Sequence, residues 1–238
     1  MSLVAAMGTL ATANGALVGH WEFDNSGGVG DATVSTSLGT VGNAAYSASG
    51  KIGGALALGG SVGDYLGSST LPSGLPTGDA SFTIALFMQT TVSATQSFTF
   101  WGNAASAQAN GFRTEGNGAL MHWSYAVDYQ ESTPVTLNDG EWHHVAATYD
   151  SASSTKRLYF DGVELGSGKV IGDLNVAALD FRIGSSPYNG FNGLLDDVRV
   201  YSDAQSASQI AALAAVPEPS TTALLGLGGL ALILRRRK

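Results

Sequence analysis

Three groups of side chains in this sequence have types and spacings suited to chemistry. His143 and His144 are adjacent, Asp128 and Glu131 stand three apart, and Met121, Trp123 and Tyr125 alternate. Adjacent strand residues face opposite sides, so the two imidazoles cannot chelate one ion together, and packing is the simpler role for both. By the same alternation Asp128 and Glu131 fall on opposite faces of any strand. A retaining glycosidase instead needs two carboxyl groups about 5 Å apart. On a strand from Leu120 to Asp128, Met121, Trp123 and Tyr125 share one face, with Tyr129 continuing it. That face is either core or an open platform on which Trp123 and Tyr125 stack against a pyranose ring. Trp101 and Tyr188 are further aromatic candidates, placed in loops.

The elements that must hold these residues are strands. From about Leu17 to Leu213 the sequence alternates with period two between turn signals, the pattern of an antiparallel sandwich. In Ser81 to Gln89, the residues Phe82, Ile84, Leu86 and Met88 point one way. Asp161-Gly162 sets a tight hairpin within Arg157 to Leu165, and Asn138-Asp139-Gly140 turns the chain into Trp142 to Tyr149. One helix is expected near Ile210, where Ser206 and Gln209 form a capping box. No His-Glu-x-x-His pair is present.

Charge and composition narrow the partners. The 238 residues include 32 glycines and no cysteine, which suits many tight turns and excludes disulfides, thiolate metal sites and cysteine nucleophiles. Four of the eleven basic residues are the last four. Without Arg235, Arg236, Arg237 and Lys238, 7 basic side chains face 19 acidic ones, a formal −12. Such a body repels phosphate backbones, so no nucleic acid is expected as a partner. Acidic turns can instead serve a hard cation such as calcium.

The two ends have other patterns. Pro217-Glu218-Pro219 precedes twelve residues, Ala223 to Leu234, that are all Ala, Leu, Ile or Gly, and then the basic cluster. A helix of that length rises about 18 Å, against a hydrocarbon core of about 30 Å. Transient membrane contact suits it better than a permanent span. The order of proline-glutamate-proline, apolar run and arginine cluster resembles the PEP-CTERM sorting signal of Gram-negative bacteria. The resemblance implies that an exosortase recognises Pro217, Glu218 and Pro219 and removes the tail, leaving the protein at the cell surface or in the extracellular matrix. Such export calls for a signal peptide, and residues 1–16, apolar and small with Ala11-Thr12-Ala13 as a cleavage site, read as part of one. The basic start of a signal peptide is missing, which places the true start upstream or marks a truncated chain.

Between the ends, residues 17–214 carry six segments in a telling order. They are Gly19-His20-Trp21-Glu22-Phe23-Asp24; Gly54 to Leu58 with Asp64-Tyr65-Leu66; Ser81-Phe82-Thr83-Ile84; Gly140 to Asp150; the Leu158 to Gly162 hairpin; and Phe191 to Tyr201. Together they resemble the concanavalin A-like, laminin-G-type jelly roll. The resemblance implies an all-β fold, a two-sheet antiparallel jelly-roll sandwich, followed by a short C-terminal hydrophobic sorting helix (215–238). It further implies one structural calcium, held by Asp196 with Asp24 as second contributor. The other reading of those two acids is simple hydrogen bonding at sheet edges. Sandwich glucanases of this fold carry a Glu-x-Asp-x-x-Glu or Glu-x-Asp-x-Glu strand, and the sequence has neither. The expectation is therefore an exported, non-catalytic protein that binds glycan, a surface polysaccharide or another surface partner. The alternatives are a glycoside hydrolase of the same fold and a purely structural matrix component.

Overall fold

The computed structural model describes residues 15–131 and 134–215. Most of the expected signal peptide, the sorting helix, and Pro217, Glu218 and Pro219 lie outside the described residues.

Fifteen strands and one helix follow in chain order among the described residues. They are β1 (Leu17–Trp21), β2 (Gly39–Val41), β3 (Ala45–Ser47), β4 (Ala55–Gly59), β5 (Tyr65–Ser68), β6 (Phe82–Gln89), β7 (Gln96–Gly102) and β8 (Ala109–Thr114). Next come β9 (Leu120–Trp123), β10 (Tyr129–Gln130), β11 (His143–Asp150), β12 (Thr155–Phe160), β13 (Val163–Val170), β14 (Phe181–Ile183), β15 (Asn192–Tyr201) and α1 (Ala207–Ala214). Two antiparallel sheets result. The larger runs β13-β12-β11-β6-β15-β4-β3, with β1 also on β15; the smaller runs β10-β9-β8-β7-β14-β5-β2.

The alternation seen in the sequence explains how the sheets stack. Phe82, Ile84, Leu86 and Met88 of β6 all enter the central core, opposite Phe98, Phe112, Leu120 and Phe181 of the smaller sheet. Trp21 of β1 stacks on Phe181 of β14 across the gap, with centroids 5.1 Å apart. The sheets are joined by apolar burial, worth roughly 1.5–3 kcal/mol for each large side chain.

The outer face of the larger sheet is partly covered as well. Ile210 of α1 is fully buried against Ala85, Ala146 and Tyr159. The expected capping box starts this helix, with the Ser206 hydroxyl accepting from Gln209 N–H and the Gln209 side chain accepting from Ser206 N–H. Asp161 and Gly162 both have positive φ, at 47° and 80°, as a tight hairpin turn between β12 and β13 requires.

Candidate functional site

The smaller sheet presents its outer face through the side chains that alternate away from the core. Gly111 of β8 pairs with Phe100 of β7 on one side and with Trp123 of β9 on the other. Because residue 111 has no side chain, the indole lies down across it: a Cβ there would come within 2.2 Å of the Trp123 ring. Trp123 thereby reaches Phe100 and stacks on it, with centroids 5.3 Å apart and planes inclined by 18°. The Arg113 guanidinium sits over the indole at 5.4 Å and is itself paired with Glu115.

The strand expected to run to Asp128 ends at Trp123. Beyond it Tyr125 and Ala126 both take left-handed conformations, φ 55° and 68°, and the chain returns as β10. Two such residues in a row store about 1–2 kcal/mol each, so the turn must be held by its surroundings. Asp128 does part of this, its Oδ1 accepting from Ser124 N–H at 2.6 Å. The rest comes from below. Lys156 of β12 is fully buried, and its Nζ donates to the Ser124 hydroxyl and the Val127 carbonyl, both at 2.8 Å. Burial pushes the Lys156 amine down to about 7, against the opposing pull of Asp128.

This turn folds Tyr125 back against Trp123, edge to face at 5.1 Å. The Tyr125 hydroxyl donates to that of Tyr188 at 2.6 Å. Burial, then the Tyr188 hydroxyl, raise the Tyr125 phenol above its ordinary range. Tyr188 is 55% exposed, whereas Trp123 is only 4% exposed. The surface open to a ring-shaped ligand therefore belongs to Tyr188 and part of Tyr125, with Trp123 and Phe100 as the wall behind them. Two other aromatic expectations are corrected. Tyr129 turns into the central core on β10, and Trp101 is a fully buried core residue of β7 and not a loop residue. Its indole N–H is satisfied by the Pro76 carbonyl.

The two histidines do face opposite ways. His144 packs edge-on against Phe87, and burial pushes it down to about 4. His143 lies between Asp139 and Asp161, at 3.1 and 2.9 Å. Of the two spaced acids, Asp128 is committed to the Ser124 turn and Glu131 accepts from the Tyr129 hydroxyl.

Asp24 and Asp196 converge on one loop. Asp24 Oδ1 accepts from Gly54 N–H at 2.7 Å, and Asp196 Oδ2 accepts from Ile52 N–H at 2.8 Å. Asp196 is fully buried, and its Oδ1 has no hydrogen-bond partner among the described residues. Burial, reinforced by the charge of neighbouring Asp197, pushes Asp196 up to about 7, although the backbone N–H groups of Ile52, Asp197 and Lys51 pull the other way. An orphaned buried carboxylate oxygen fits a cation ligand, because a buried anion lacks a counter-charge. No group of three or more His, Cys, Asp or Glu with metal-holding geometry occurs among the described residues, so remaining ligands would have to be backbone carbonyls or water.

Comparison with known proteins places this geometry in context. The family model of the Concanavalin A-like lectin/glucanases superfamily matches residues 61–211, and that of the PEP-CTERM protein-sorting motif matches 215–238. No curated protein matches the sequence. Among solved structures, domain 4 of AbnA, an extracellular arabinanase from Geobacillus stearothermophilus in complex with arabinotriose, is 22% identical. It aligns with a TM-score of 0.64 over 85% of this chain and 100% of that one. The binding domain of Paraclostridial Mosquitocidal Protein 1 aligns with a TM-score of 0.61 at 16% identity, over 84% of this chain and 52% of that one. A heptameric SAP-like pentraxin from Limulus polyphemus aligns at 0.51 with 18% identity, over 63% and 75%.

Proposed function

The chain belongs to the Concanavalin A-like lectin/glucanases superfamily, and we propose that within it the protein is a non-catalytic module that binds glycan through Tyr188 and Tyr125. The PEP-CTERM motif at 215–238 marks it as an exported protein processed by an exosortase. One observation carries the proposal. An exposed tyrosine is hydrogen-bonded to a second tyrosine hydroxyl, and both rings pack on Trp123 of the buried Phe100–Trp123 stack. Rigid aromatic faces with a polar tip suit the alternating apolar and hydroxyl surface of a sugar ring. The arabinanase domain that shares this fold was solved with a bound arabinotriose, which supports a sugar as ligand.

Against a hydrolase stand the missing carboxylate strand and the commitments of Asp128 and Glu131 to internal hydrogen bonds. One structural calcium belongs to the same proposal, with Asp196 Oδ1 as its side-chain ligand and Asp24 beside it on the 52–54 loop. Calcium there would neutralise a buried anion and brace that loop; it has no part at the tyrosine pair.

A second reading, a matrix component without a discrete ligand, is favoured by the burial of Trp123. A glycan array on the processed protein, run beside Tyr188→Ala, separates the two. Binding that the variant loses supports the glycan module. An empty array favours the ligand-free component, and turnover in a parallel hydrolase panel would overturn the non-catalytic assignment.

A further inference from the structure

Beside Tyr188 lies an open cleft of about 310 Å³ where three loops meet, at residues 59–62, 92–96 and 188–192. We infer that this cleft is a sugar subsite continuous with the tyrosine pair, and that it selects uncharged, hydroxyl-rich residues over those carrying a carboxylate. The inference rests on the glycan reading above and gives it a ligand class.

The walls are fixed before any ligand arrives. Gln96 is 2% exposed, and its side chain accepts from Asn192 N–H at 2.7 Å while donating to the Val92 carbonyl at 3.0 Å. It therefore ties two of the three loops together. The third loop turns on Ser186, a fully buried residue whose hydroxyl accepts from Tyr188 N–H and Asn189 N–H and from the Ser97 hydroxyl. Gly190 closes the join, since a Cβ there would meet the Ser61 carbonyl oxygen at 2.3 Å. A pocket whose walls are prearranged loses little freedom when it binds.

The lining defines the chemistry. None of the eleven residues around the cleft is charged. Its polar groups are amides and hydroxyls, which donate and accept alike. The Asn189 side-chain amide has no partner among the described residues, and that of exposed Asn192 makes a single long contact of 3.4 Å to the Gly59 carbonyl. Tyr188 accepts from Tyr125 and so keeps its own hydroxyl hydrogen to give. A carboxylated sugar would bring an anion to a cleft without a cation on a strongly acidic body. The volume sits at the lower end of the range for small-molecule sites, enough for a short stretch of glycan and not a long one.

Titration of the processed protein with two matched series tests this: neutral trisaccharides (arabinotriose, cellotriose) and carboxylated ones (trigalacturonate, triguluronate). The neutral series should bind at least tenfold more tightly. Asn192→Asp, on the exposed rim, should weaken neutral ligands about tenfold without altering near-UV circular dichroism. Tighter binding of trigalacturonate or triguluronate overturns the ligand class. Neutral binding that survives Asn192→Asp and Asn189→Ala but is lost in Tyr188→Ala removes the cleft and leaves the tyrosine platform standing. If no sugar of either series binds the wild-type chain, the glycan reading itself falls and the subsite goes with it.

Discussion

Lys156 of the larger sheet reaches across the sandwich to Ser124 at the end of β9, its Nζ 2.8 Å from the serine hydroxyl. The contact joins the two sheets at the foot of the strained turn that presents Tyr125. A buried amine thus does the positioning, and an exposed aromatic makes the surface.

Replacing Lys156 with Met keeps the apolar stem and removes the donor. Ser124 and Val127 then lose a partner each, at about 1–3 kcal/mol per orphaned group. The expected outcome is a changed near-UV circular dichroism signal from Trp123 and Tyr125, and glycan binding about tenfold weaker. The pH dependence has a definite sign. The folded amine titrates near 7, the unfolded one at its ordinary 10.5, so between those values the unfolded chain holds the extra proton. Wild-type stability should therefore climb as pH rises from 7 towards 10.5. Thermal melts across that window should show the climb in wild type and a flatter profile in Lys156→Met.

Gly111→Val tests the wall behind the tyrosines. The new side chain enters the space of the Trp123 ring, 2.2 Å from its nearest atoms. Overpacking of this kind typically costs about 1–3 kcal/mol. Tryptophan fluorescence should shift to the red as the indole is pushed off Phe100, while Phe82 and Trp101 in the central core keep their edge-to-face contact. An unshifted spectrum would show that the indole has another place to go.

Tyr125→Phe separates ring from hydroxyl. It keeps the contact with Trp123 and removes the donor to Tyr188. A lost hydrogen bond of about 1 kcal/mol corresponds to roughly fivefold weaker binding. Calorimetry on the wild-type and variant proteins measures it. A loss as large as that of Tyr188→Ala would mean that orientation of Tyr188 depends wholly on this one bond.

Asp196 gives the calcium test. With its folded pKa raised to about 7, the native state binds a proton that the unfolded state releases near 4. Without a cation, stability should fall as pH rises from about 4 to 7. Asp196→Asn should flatten that slope and melt a few degrees above wild type at pH 8 in chelator. Added calcium should raise the wild-type melting temperature and leave the variant unmoved. Equal melts for wild type with calcium and with chelator would remove the metal from the proposal.

Much of the frame was legible in the sequence because its signals are local. Alternation in Phe82 to Met88, the Asp161-Gly162 turn and the Ser206/Gln209 box all appear where the sequence places them. The tyrosine site was less legible because its determinants come from several strands. Trp123 is covered by the absence of a side chain at Gly111 and by Phe100, neither near it in sequence. Lys156 looks like a surface lysine until Ser124 and Val127 are brought over it. Period-two spacing also carried Tyr125 along a strand that the left-handed pair at 125 and 126 cuts short. In the sequence Tyr188 reads only as a loop aromatic, since nothing local shows that Ser186 turns it towards Tyr125.

The last described helix gives the domain a front and a back. Ile210 seats α1 on the outside of the larger sheet, and the sorting motif begins at residue 215, directly after that helix. Tyr188 and Tyr125 stand on the outside of the other sheet, with the whole hydrophobic core between. The chain thus enters the sorting motif on the side of the sandwich opposite the tyrosine pair, and removal of that motif leaves the proposed binding face untouched.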